Sequence, residues 1–110
     1  MPIKRLRPKI KGHLDIIIID NEDDDEGAIM KWQDILIHGD PEGLKSFGRF
    51  LIRIAELNQD TINDLPIGAR EHFHLSPNVD LSKSSSEVIV GRLDAKGTGS
   101  FYDMYVSKDE

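Results

Sequence analysis

Gly39-Asp40-Pro41-Glu42 is the stretch that most restricts what this chain can fold into. An Asp placed ahead of a Pro can accept hydrogen bonds from the free N–H groups of a first helical turn. Pro suits the first helical position because it has no N–H to satisfy, and Glu complements the positive end of the helix dipole. The three residues agree on a helix opening at Asp40. Downstream, Leu44, Phe47, Leu51, Ile54 and Ala55 fall on one stripe at helical spacing, with Lys45, Arg49, Arg53 and Glu56 turned mostly away. The helix is therefore expected to run to about Asn58 and to lay that stripe across one face of a sheet.

The strands of that sheet are read on either side of the helix. His13-Leu14-Asp15-Ile16-Ile17-Ile18-Ile19-Asp20 holds four consecutive isoleucines, β-branched residues that point to both faces of a strand. Cover on both sides is expected, from the C-terminal residues Phe101, Tyr102, Met104, Tyr105 and Val106 or from a second subunit in a homodimer. Asn21 to Gly27 is too charged to continue a strand and is expected to be a solvated hairpin connection. Ala28 to about His38 returns as one long or broken strand, whose Trp32 is expected in the core ahead of an interface. After the helix, Gln59 to Ala69 reads as a loop. Arg70-Glu71-His72-Phe73-His74-Leu75 then alternates as a strand, with Phe73 and Leu75 inward and Arg70, His72 and His74 outward. Ser82-Lys83-Ser84-Ser85-Ser86 reads as a flexible polar link, and Glu87 to Asp94 as the next strand.

The order β-β-α-β-β predicts an α+β fold in two layers, an antiparallel or mixed sheet of four to five strands with one central helix. Residues 1–11, basic and carrying Pro2 and Pro8, read as an arm or edge segment, residues 12–106 as a single domain and residues 107–110 as a tail. At 110 residues the chain is long enough to bury roughly two-thirds of its extended surface around one core.

Charge narrows the function. The net charge is -6, yet Lys4, Arg5, Arg7, Lys9 and Lys11 all precede the first acid, so residues 12–110 carry 9 basic and 20 acidic groups. Such an acidic body disfavours nucleic acid, whose phosphates are neutralised by Lys and Arg, and favours a basic protein partner. Absence of Cys removes thiol catalysis, disulfides and Cys-based zinc sites, and suits a reducing compartment. No apolar run approaches the roughly 20 residues that span a bilayer, and the start lacks the apolar region of a signal peptide. A cytoplasmic, non-membrane protein is expected.

No catalytic constellation emerges. His72 and His74 would project from one face of a strand and could share a metal, but a metal site usually needs three or four ligands, and polar surface is the simpler reading. The acidic run Glu22 to Gly27 departs from a calcium loop at its twelfth position, Gln33, where a bidentate Glu is required. Lys96 precedes Gly97 instead of following it as a phosphate loop demands. Neither a cofactor nor a catalytic residue is assigned.

His38-Gly39-Asp40-Pro41-Glu42-Gly43-Leu44 and its helix, Gly68 to Leu75, and Glu87-Val88-Ile89-Val90-Gly91-Arg92-Leu93-Asp94 together resemble a family of small bacterial immunity proteins, the type numbered 32 in polymorphic toxin systems. The likeness covers about residues 36–99. It implies a non-catalytic protein that binds and neutralises a cognate toxin in the producing cell; many such toxins are basic nucleases, which would suit an acidic inhibitor. The residues expected to meet the toxin are Asp23, Asp24, Asp25 and Glu26 on the acidic loop, with Arg70, His72 and His74 on the outward sheet face. The alternative is a metal-binding module or metal-dependent enzyme centred on His72 and His74.

Overall fold

A computed structural model describes residues 6–109; Lys4 and Arg5 of the basic arm, and the last residue of the tail, lie outside the described residues. Strands β1 (Leu14–Asp25) and β2 (Ala28–Gly39) form a long hairpin, followed by helix α1 (Pro41–Glu56) and a 3-10 turn at Gln59–Thr61. Strands β3 (His72–Leu75) and β4 (Val88–Gly91) form a second, short hairpin. The α+β class and the order β-β-α-β-β hold. The expected single sheet of four to five strands does not: the four strands form two separate antiparallel pairs.

The reason lies in the serine-rich segment expected to be a flexible link. Ser82 and Ser86 donate their backbone N–H groups to the carbonyls of Leu14 and Ile16, and the Ser85 hydroxyl accepts from the N–H of Ile16. The outer edge of β1 is thus satisfied at its base by an irregular seam instead of by another strand. Ser85 is buried, and the hydroxyls of Ser82 and Ser84 both donate to Asp15.

Helix α1 begins as its sequence predicts. Asp40 caps it, accepting from the N–H of Gly43 at 2.8 Å, with Pro41 at the first position and Glu42 in the first turn. The buried face differs from the expected stripe. Gly43, Ser46, Phe50 and Ile54 are buried and Phe47 half-buried, whereas Leu44, Leu51 and Ala55 are exposed. Docking of the helix start explains the rotation. A side chain on Gly43 would overlap the His13 carbonyl, and Ser46 Oγ lies 3.0 Å from the N–H and 2.9 Å from the carbonyl of Lys11. Two small residues bring the first turns against residues 11–13, and this turns the larger side chains at 44 and 51 away.

One cluster of Leu14, Ile16, Phe50, Ile54, Phe73, Leu75 and Leu81 forms the core, with Leu6 and Ile10 of the arm packed against it. Phe50 and Phe73 meet edge to face with ring centroids 5.6 Å apart, a favoured geometry for buried aromatic pairs. Phe73 and Leu75 point inward as expected. Cover for the isoleucine run is limited to the base of β1: Leu14 and Ile16 are buried, while Ile18 and Ile19 are exposed. The C-terminal aromatics do not supply it. Phe101 meets Tyr105 edge to face with ring centroids 5.3 Å apart, and both remain exposed.

Candidate partner-binding surface

The acidic stretch proves to be strand, not loop. β1 continues through Asp25 in register with β2, Glu22 lies opposite Lys31, and the turn is only Glu26-Gly27. Both turn residues have positive φ, 51° and 88°, the signature of the two-residue type I′ turn whose twist matches the strands it joins. Asp24 Oδ1 accepts from the Gly27 N–H and fixes the turn. Charge that would have ended an isolated strand is tolerated here because neither face of the distal hairpin is covered.

The hairpin projects as an arm. From Ile16 in the core to Asp24 the strand advances about 27 Å at a rise of roughly 3.4 Å per residue. The radius of gyration is 17.4 Å and the long dimension 62 Å, against roughly 13 Å for the radius of a compact chain of similar length. Asp23, Asp24, Asp25 and Glu26 are all exposed at its far end.

Its two faces differ in chemistry. Side chains alternate along a strand and directly opposed residues share a face. The face that carries Leu14 and Ile16 into the core continues outward as Ile18 and Ile35, then Asp20 opposite Gln33 and Glu22 opposite Lys31. One polar pair on it is bonded: Gln33 Nε2 donates to Asp20 Oδ1 at 2.8 Å. The other face carries Ile17 opposite Leu36, Ile19 opposite Asp34, Asn21 opposite Trp32 and Asp23 opposite Met30. Trp32, expected in the core, is 47% exposed there and Met30 is 60% exposed. Apart from His38 at its base, that face has no basic residue, and Asp15, Asp23, Asp25 and Asp34 line it. Sequence reading missed this surface because it treated the acids as a loop; two-residue periodicity carried through to Asp25 would have paired Trp32 with Asn21 and Met30 with Asp23.

His72 and His74 sit on the exposed side of β3, their rings edge to face with centroids 5.4 Å apart. His74 Nδ1 lies 3.6 Å from Glu87 Oε1. Among the described residues no three His, Asp or Glu side chains are grouped to hold a metal. Arg70 does not join the outward histidine face. It precedes β3 and is half-buried, its guanidinium donating to the carbonyls of Leu93 and Ser100 and lying 5.7 Å from the centre of the Tyr102 ring. The acidic tip and the histidines therefore lie in different regions: β3 packs on the base of β1, a hairpin's length from Asp24.

The remaining polar residues of the chain's most distinctive segments hold structure together. Buried Gln59 donates to the Asp94 carbonyl and accepts from the Glu71 N–H, both at 2.8 Å. Lys96 Nζ donates to the carbonyls of Ile62 and Leu65. The Asp94 carboxyl, pulled below the ordinary carboxylate range chiefly by its hydrogen bonds from Arg92, anchors that side chain against the end of α1.

The fold is that of a small α+β domain: a scaffold around one core from which a hairpin bearing acidic and apolar residues projects. The family model for immunity protein 32 matches residues 34–93, more than half of the chain, and the chain belongs to that family. The matched segment takes in the helix, β3 and β4 and starts within β2, so the acidic tip lies outside it. No curated protein and no solved structure matches the chain. Among the described residues no helix is long and apolar enough to cross a membrane.

Proposed function

We propose that this protein binds and neutralises a cognate toxin in the cytoplasm of the cell that makes it, acting by occlusion and without catalysis. The observation that carries this reading is the projecting hairpin, which sets the acids Asp23, Asp24, Asp25 and Glu26 some 27 Å out from the core on a scaffold of the immunity protein 32 family. A protruding acidic arm raises the encounter rate with a basic partner, a basic nuclease being one fitting kind, and reaches into a substrate groove that a rounded surface could not enter. His72 and His74, exposed on β3, offer a second, independent contact region.

Coexpression with the toxin encoded beside its gene tests the proposal. Relief of toxicity together with copurification of the two proteins is expected. Persistent toxicity with no complex on a sizing column would overturn it.

A further inference from the structure

We infer that the toxin docks on one particular face of the hairpin, the one away from the core, with Trp32 as its central anchor, Met30 and Ile19 beside it and Asp23, Asp25 and Asp34 as a charged rim. This inference rests on the toxin-neutralising reading and specifies where and by what chemistry the contact is made.

An isolated two-stranded hairpin is marginally stable in water, because each strand has one neighbour and no layer covers it. The distal half of this arm has that arrangement, and it exposes a Trp and a Met side by side on neighbouring register positions. Trp is the residue type most enriched at interface hot spots, since it gives up a large apolar area at little entropic cost and keeps an N–H to donate. Apolar residues recur along this face from Ile17 and Leu36 near the base through Ile19 to Trp32 and Met30 near the tip, with Asp34 and Asn21 among them. Exposed apolar groups rimmed by polar ones are the pattern of an interaction surface.

Charge identifies the occupant. Four aspartates and no Lys or Arg share this face, so a second copy docked face to face would bring eight carboxylates into one interface, and like charges there cost several kcal/mol. A basic protein surface with an apolar recess meets both requirements at once. Each face has one internal amide–carboxylate bond, Asn21 to Asp34 here and Gln33 to Asp20 on the opposite face. The opposite face also carries Lys31 and lacks an aromatic anchor, so it fits a basic apolar partner less well.

Adjacent residues supply the test. Ile29 and Met30 are consecutive, 61% and 60% exposed, and point to opposite faces, so Ile29→Ser and Met30→Ser replace an exposed apolar side chain on one face or the other. Ile29→Ser, which removes the stronger strand former, is the more demanding control for the hairpin itself. Binding of the purified, catalytically inactivated toxin domain encoded beside the gene is measured by calorimetry. Met30→Ser is expected to weaken it at least tenfold, Trp32→Ala on the order of a hundredfold, and Ile29→Ser by less than about threefold. Trp32 is the chain's single Trp, so 5-fluorotryptophan labelling gives one fluorine resonance, which should shift on addition of toxin. A toxin complex that leaves this resonance unmoved, or that Ile29→Ser weakens as much as Met30→Ser, overturns the docking face and leaves the immunity function standing. A resonance that shifts with the protein's own concentration, toxin absent, gives the face to a second copy and overturns it too. Failure of the wild-type protein to bind or protect removes the functional reading itself.

Discussion

The hydroxyl of Ser85 reaches back to Ile16, 69 residues away in sequence, accepting from its N–H at 3.1 Å and lying 3.0 Å from its carbonyl oxygen. With the backbone N–H groups of Ser82 and Ser86, this buried side chain does for the base of β1 what a paired strand does elsewhere. The long hairpin is anchored to the core through this seam.

Ser85→Ala should therefore destabilise the fold by about 1–3 kcal/mol, the cost of leaving a buried backbone donor without a partner. Urea unfolding at neutral pH reads it directly. An unchanged midpoint would mean that the Ser82 and Ser86 backbone bonds alone hold the seam.

Two glycines of α1 should respond with opposite sign to the same substitution. At Gly43 a methyl group would overlap the His13 carbonyl, so Gly43→Ala should cost roughly 3 kcal/mol or more, or prevent folding. At Gly48 nothing lies within 4 Å of the position a Cβ would take. Gly48→Ala should stabilise the protein by about 0.5–1 kcal/mol through backbone entropy alone. Thermal melting of the two variants distinguishes them.

Arg92 closes the other end of that helix, donating to the carbonyls of Ile54 and Leu57 at 3.0 and 2.8 Å while paired with Asp94 at 2.7 Å. Arg92→Met keeps much of the volume and removes every donor. A loss of roughly 2–3 kcal/mol is expected, since the last-turn carbonyls and one carboxylate lose their charged partner. Amide hydrogen exchange in the last turn of α1 should speed up more than in β3.

Acid should weaken the fold in a defined window. Asp15 is held below its ordinary value of 3.8 by the hydroxyls of Ser82 and then Ser84, and Asp40 by the N–H groups of His13 and then Gly43. A carboxyl whose folded pKa is depressed contributes stability that is complete above its unfolded pKa and is lost as pH falls through the folded value. Urea midpoints should therefore decline as pH drops through and below 3.8, while near neutrality the contribution of these two groups is complete and does not vary with pH. The double variant Asp15→Asn, Asp40→Asn should decline less steeply. Parallel curves for the two proteins would refute the linkage.

Much of the fold could be read from local chemistry. The helix start at Asp40, the inward Phe73 and Leu75 and the order of elements all follow from capping, alternation and turn residues, effects that act over a few positions. What misled was long-range. Leu44 and Leu51 form a proper amphipathic stripe, yet the closest helix approach runs through Gly43 and Ser46, because only small residues admit the backbone of residues 11–13. Hydrophobic periodicity ranks residues by size and cannot register a contact made by the absence of a side chain.

The candidate site divides the same way. Sequence by itself determined that residues 20–26 are strongly acidic, that His72 and His74 share an outward face, and that the chain is a small α+β protein of the immunity protein 32 family. Only the tertiary structure decided that the acids continue a strand, that Arg70 turns to Leu93 and Ser100, and that Trp32 lies exposed opposite Asn21, with Met30 and Asp23 next along the same face. The physical reason is register. Pairing with β2 across all of β1 assigns each side chain to one of two faces, and a charged segment becomes ordered strand because its partner strand, not its own composition, satisfies its backbone.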